Sequence, residues 1–165
     1  VERRTSPGSP FTGDLLTKGP GVSEGWFEKI EVLLAWKEDS GKHTSSYIDD
    51  PNWKESISKA GAKQMNSLIQ GEWDKSQWRK LIESSEIFAH ESGLLLDSSR
   101  SELLEESRGI IHTLDLEYTP LLCMLGKSLV IVPKNVEDGR FPDNLQQRLK
   151  EVGFKTQKTM LRSLF

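Results

Sequence analysis

Trp26-Phe27-Glu28-Lys29-Ile30-Glu31-Val32-Leu33-Leu34-Ala35-Trp36 is the stretch on which the fold class turns. Its apolar residues Trp26, Phe27, Ile30, Leu33 and Leu34 fall at i, i+1, i+4, i+7 and i+8, one stripe at helical period. Ser23 stands before it as an N-cap with Glu24 in the first turn, and Gly41 lies just past its end. The spacing therefore predicts a helix, and the chain downstream carries the same signature several times.

Asp50-Pro51 pairs a capping side chain with a proline at the first helical position, and Trp53, Ile57, Ala60, Leu68 and Ile69 follow as a stripe up to Gly71. Gly61 inside that helix costs it roughly 1 kcal/mol relative to alanine. Asp74 caps a further helix carrying Trp78, Leu81, Ile82, Ser85 and Ala89, closed by Gly93. Ser98 or Ser99 opens the next, with Glu102 placed for a capping box and Leu103, Leu104, Ile110, Ile111 and Leu114 on one face. Residues 120 to 132 are apolar nearly all round. They read as a buried helix, or as a short helix followed by a short strand at 128–132, where the β-branched run lies. After a turn-rich loop, Asp143 to Val152 forms a helix that stops at Gly153, and Met160, Leu161 and Leu164 recur at helical spacing beyond it. The expected fold is mainly α: a bundle of six to seven helices over residues 23–165, one domain, with a β element near 128–132.

Residues 1–22 hold Pro7, Pro10 and Pro20, four glycines and almost no periodicity, and read as a flexible tail or linker. Ser6 and Ser9 each precede a proline, with Arg3 and Arg4 upstream, which makes them candidate phosphorylation sites. The chain begins with Val1, which suggests a piece of a longer protein.

At 35% hydrophobic and 28% charged residues with five tryptophans, the 165-residue chain has the composition of a folded domain. Cys123 is the only cysteine and sits in an apolar run, so no internal disulfide forms and a reducing compartment is expected, nucleus or cytoplasm. No apolar run is long enough to span a membrane, and no signal-peptide core is present.

The candidate chemistry is sparse. Glu86 and His90 are four apart, and His112 and Asp115 three apart, so each pair shares a helix face. Two such helices facing inward would build half of a carboxylate–imidazole metal site. The stripe of Leu104, Ile111 and Leu114 puts His112 and Asp115 one position beyond it, at the solvent edge, so no metal and no cofactor are expected. Gly126-Lys127-Ser128 has the last triplet of a phosphate loop, but Leu121 stands where that loop needs its first glycine.

Net charge is −3, unevenly placed: residues 140–165 carry six basic and two acidic side chains, a net of +4. Arg148, Lys150, Lys155, Lys158 and Arg162 could contact phosphates, with Phe154 the one aromatic among them. Trp36 and Trp73 lie off the apolar stripes beside charged residues, as interface anchors do. With no convergent catalytic group, the sequence reads as a non-enzymatic protein–protein interaction or scaffolding domain of an intracellular regulatory protein. It would dock an amphipathic helix or short peptide through Trp36 and Trp73. Nucleic-acid binding by the basic end is the alternative.

Overall fold

Ile30–Trp36 is a β-strand, and that overturns the helical bundle. A computed structural model describes residues 2–4, 23–26, 28–38, 50–123, 127–137 and 140–161. In chain order the elements are β1 (Glu2–Arg4), β2 (Ser23–Gly25), β3 (Ile30–Trp36), α1 (Pro51–Ile69), α2 (Trp78–Glu91), α3 (Ser98–Thr113), β4 (Tyr118–Leu122), β5 (Ser128–Pro133), α4 (Asp143–Glu151) and β6 (Lys155–Leu161). Among the described residues, four α-helices accompany a four-stranded antiparallel sheet of order β4-β5-β3-β6, with β1 and β2 forming a separate antiparallel ribbon.

The helical spacing of this stretch has a physical cause. β3 lies inside the sheet, paired with β5 through Leu33 and Ile131 and with β6 through Leu33 and Lys158. Both of its faces are covered. Ile30 and Val32 pack with Trp78 and Ile82 of α2, while Leu33 and Ala35 pack with α3 and α4 through Leu103, Leu104, Leu145 and Leu149. A strand buried on both sides has no polar alternation, so its apolar residues fall by chance at i, i+3 and i+4.

In the segment after Pro120 the strand expected at 128–132 is present, as β5, but the helix expected before it is not, for the same reason. The segment is the β4–β5 hairpin, closed by the Cys123 amide donating to the Ser128 carbonyl at 2.9 Å. Pro120 is tolerated there because β4 is an edge strand. The stretch past Gly153 is β6 rather than a helix, the other edge strand.

Where helices do form, capping explains their bounds. The Asp50 carboxylate accepts from the Asn52 and Trp53 amides, with Pro51 at the first position of α1. Asp74 caps a short 3-10 turn at Lys75–Gln77 that leads into α2. The cap of α3 is Asp97 rather than Ser98 or Ser99: its carboxylate accepts from the Ser99 amide at 3.0 Å. α4 ends in a Schellman motif, with the Gly153 amide donating to Lys150 and the Phe154 amide to Leu149, and Gly153 at φ +92°.

The sheet thus carries α3 and α4 on one face and α2 on the other, with α1 packed against α2. The indole of Trp78 ties α2 to the end of β5, donating to the Pro133 carbonyl at 2.7 Å, and stacks edge-on to Trp26 at 6.2 Å. No helix among the described residues is long and apolar enough to cross a membrane.

Candidate functional site

Helix α3 also ends in a Schellman motif, but with an aspartate where glycine is usual. The Asp115 amide donates to His112 at 3.0 Å and the Leu116 amide to Ile111 at 3.2 Å, which holds Asp115 at φ +49°. Aspartate is among the few residues that tolerate this left-handed region. The turn feeds the chain directly into β4, so Glu117 and Thr119 stand beside the last turn of α3. Lys134, leaving β5, donates its amide to the Glu117 carbonyl at 2.9 Å and brings its ammonium within 3.4 Å of the Glu117 carboxylate.

These elements enclose a cleft of about 280 Å³ lined by Arg108, His112, Asp115, Glu117, Thr119 and Lys134 among others. Glu86 of α2 does not line the cleft but bonds two of the residues that do. One oxygen of Glu86 accepts from the Thr119 hydroxyl at 3.0 Å and from Arg108 at 3.3 Å, while Arg108 also bonds Glu105 at 2.9 Å. Thr119 alternates with Tyr118 across the strand, which turns its hydroxyl to the α2 side while the Tyr118 ring joins the core under α3.

The chemistry follows from these pairings. Arg108 and Lys134 are both held by carboxylates, so a bare phosphate would have to displace an existing partner at each. A small polar molecule carrying both donors and acceptors suits the cleft better. Among the described residues no group of three or more His, Cys, Asp or Glu side chains is placed to hold a metal ion.

Of the four residues that could form a half metal site, three come to this region. Glu86 meets Arg108 and Thr119, and His112 and Asp115 line the cleft. His90 is exposed next to Glu91, which Lys63 and Gln64 of α1 engage. The Lys63 ammonium, bonded to Glu91, holds that carboxyl below its ordinary value. Sequence reasoning misses Arg108 and Thr119. Arg108 has one sequence signal, an i,i+3 partner in Glu105, whereas Thr119 can be placed only once its segment is known to be a strand.

Trp36 is half-buried on β3, opposite Ser128 of β5 and Lys155 of β6. Trp73 lies between α1 and α2 and is only 9% exposed. The basic end does not form one stripe. Lys155 and Lys158 are three apart on a strand and therefore project from opposite faces. Lys155 pairs with Glu38, Lys158 with Asp143, and Arg148 with Glu151 at 2.8 Å, while Lys150 is exposed on α4. Hydrogen bonds from Lys158 and Arg148 lower the pKa of Asp143 and Glu151 respectively. Arg162, Ser6 and Ser9 lie outside the described residues.

No protein family and no curated protein matches the chain. Among solved structures, a phosphotransferase related to the CoA biosynthesis pathway superposes on it with a TM-score of 0.59 at 21% identity. The likeness is one of fold. It covers 99% of this chain and 48% of that one, so this chain spans about half the length of the enzyme it resembles. Two expectations are corrected by it. The scaffold reading rests on a helical bundle, and the fold is instead one that a phosphotransferase shares; the nucleic-acid alternative rests on basic C-terminal helices, of which residues 155–161 are a strand whose Lys155 and Lys158 are paired with carboxylates. The expectation of a non-enzymatic chain is set against the same likeness, which is to the fold of a phosphotransferase.

Proposed function

We propose that this chain is one domain of a phosphoryl-transferring enzyme, contributing the side that holds the phosphoryl acceptor. The observation that carries the proposal is the likeness over nearly the whole chain to about half of a phosphotransferase. Phosphoryl transfer needs a cradle for the donor phosphates, usually backbone amides of a glycine-rich loop, together with Lys and a divalent cation. The sequence offers no such loop, and the cations of the cleft are already paired. Donor binding is accordingly assigned to a second domain of the enzyme.

Within this domain, the cleft bounded by Arg108, His112, Thr119 and Lys134 is the acceptor-side candidate, its mixed donors and acceptors fitting a small polar molecule with a hydroxyl. The fold likeness concerns the reaction class; the pathway of the resembling enzyme is not carried over.

The test is transfer of labelled γ-phosphate from ATP by the full-length protein to a panel of small hydroxylated acids and alcohols. Transfer by the full-length protein, lost in this chain alone, is the expected result. A full-length protein that transfers phosphate to no acceptor and does not hydrolyse ATP contradicts the proposal. Glu86→Gln is expected to raise the KM for the acceptor while leaving the KM for ATP unchanged.

A further inference from the structure

Asp115, in the wall of the polar cleft, stands where two local rules oppose an aspartate. It is the left-handed residue that ends α3, at φ +49°, where glycine fits without strain. It also puts a negative charge at the C-terminal end of a helix, where the backbone dipole disfavours anions. No partner offsets either cost: the residue is exposed, and its carboxylate makes no hydrogen bond or ion pair among the described residues. Local rules broken in this way concentrate at functional sites.

The cations around it are already paired. Arg108 lies between Glu86 and Glu105, and Lys134 meets Glu117. With these partners included, two cations face four carboxylates, Asp115 being the fourth. His112, the remaining titratable group of that wall, offsets only one of the two surplus negative charges even when protonated. The Thr119 hydroxyl gives its proton to Glu86, which leaves its oxygen to accept. The uncommitted groups of the cleft therefore call for a donor of positive charge.

We propose that the acceptor taken by the cleft bears an ammonium group, an amino alcohol rather than a hydroxy acid, with Asp115 as the counter-charge that selects it. The inference rests on the reading of this cleft as the acceptor side. An anionic acceptor would meet the surplus carboxylates and have to break an existing ion pair, whereas an ammonium completes one.

The experiment titrates the chain with 4-amino-1-butanol, 1,4-butanediol and 4-hydroxybutanoate, three probes of one length whose far ends are positive, neutral and negative. Backbone amide shifts of residues 112–119 report binding. The amine is expected to bind about fivefold more tightly than the diol at low salt, as one exposed ion pair allows, and the acid most weakly. High salt should narrow the difference. Asp115→Asn keeps a residue that accepts the left-handed turn, and should bring the amine down to the diol. Asp115→Gly should do the same while raising the melting temperature, which separates lost binding from a lost fold. Equal affinity for the three probes, tighter binding of the acid, or an amine preference that Asp115→Asn leaves in place overturns the proposal. So does the absence of shifts at residues 112–119. If the chain selects the amine but the full-length protein neither transfers phosphate nor hydrolyses ATP, the phosphotransferase reading fails and the ammonium site stands.

Discussion

Gly61 and Gly153 give a matched test, because the same substitution should act with opposite sign at the two sites. Gly61 lies inside α1, and a methyl group there meets nothing closer than the Phe88 ring at 3.7 Å. Alanine restores helix propensity worth roughly 1 kcal/mol. Gly153 has equal room, with nothing within 4 Å of where a β-carbon would stand, but its φ of +92° is one that L side chains rarely adopt. Alanine there pays the left-handed penalty of roughly 1–2 kcal/mol. For a chain of this size each kcal/mol moves the melting temperature by about 2–4 °C. Thermal unfolding followed by circular dichroism should therefore show Gly61→Ala rising by about 2–4 °C and Gly153→Ala falling by about 2–8 °C. Gly153→Ala is the more telling of the two, since the sharp end of α4 is what releases residues 155–161 to form β6. A neutral or stabilising Gly153→Ala would refute the reasoning, because alanine is tolerated there only if the helix continues.

Trp78→Phe keeps most of a buried ring but strands the Pro133 carbonyl, and should cost about 1–3 kcal/mol in urea unfolding. Glu86→Ala removes a partner of Arg108 and Thr119 at a half-exposed site, and a double-mutant cycle with Arg108→Ala should give a coupling below about 1 kcal/mol. Asp74, Glu91, Asp143 and Glu151 all have pKa values lowered by hydrogen bonds to their charged forms. The unfolded chain binds their protons more tightly than the folded one, so their stabilisation is full above about pH 4 to 4.5 and is lost as pH falls through the lower folded values. The urea midpoint should accordingly drop on going from about pH 6 to about pH 3, and by less in high salt; a flat profile would exclude these pairs as contributors.

The helices are legible in the sequence because their signals are local. Asp50-Pro51, Asp74, Gly93 and Gly153 mark ends by capping chemistry that needs no tertiary context. Of the sheet only β5 is legible, from its β-branched run at 128–132, because burial on both faces erases the alternation that marks a strand in β3 and in β4. β6 does alternate, with Thr156 and Lys158 more buried than Lys155, Gln157 and Thr159, but the pair Met160-Leu161 draws the reading toward a helix. The candidate site suffers from the same error. Glu86, His112 and Asp115 stand out as helix-face pairs, but what ties Glu86 to the cleft wall is its bond from Thr119, on a strand that the periodicity hides. Trp73 stands off its helical stripe because it precedes the helix, in a connection the core nevertheless buries.

Cross-strand nuclear Overhauser effects from β3 test the account most directly, since helix and strand readings of the same residues exclude one another. The fold predicts contacts from Leu34 to both Val130 and Gln157, its partners in β5 and β6. A series of i,i+3 contacts running through residues 30–36 with no contact to either strand would restore the helix and remove the sheet on which the functional reading stands.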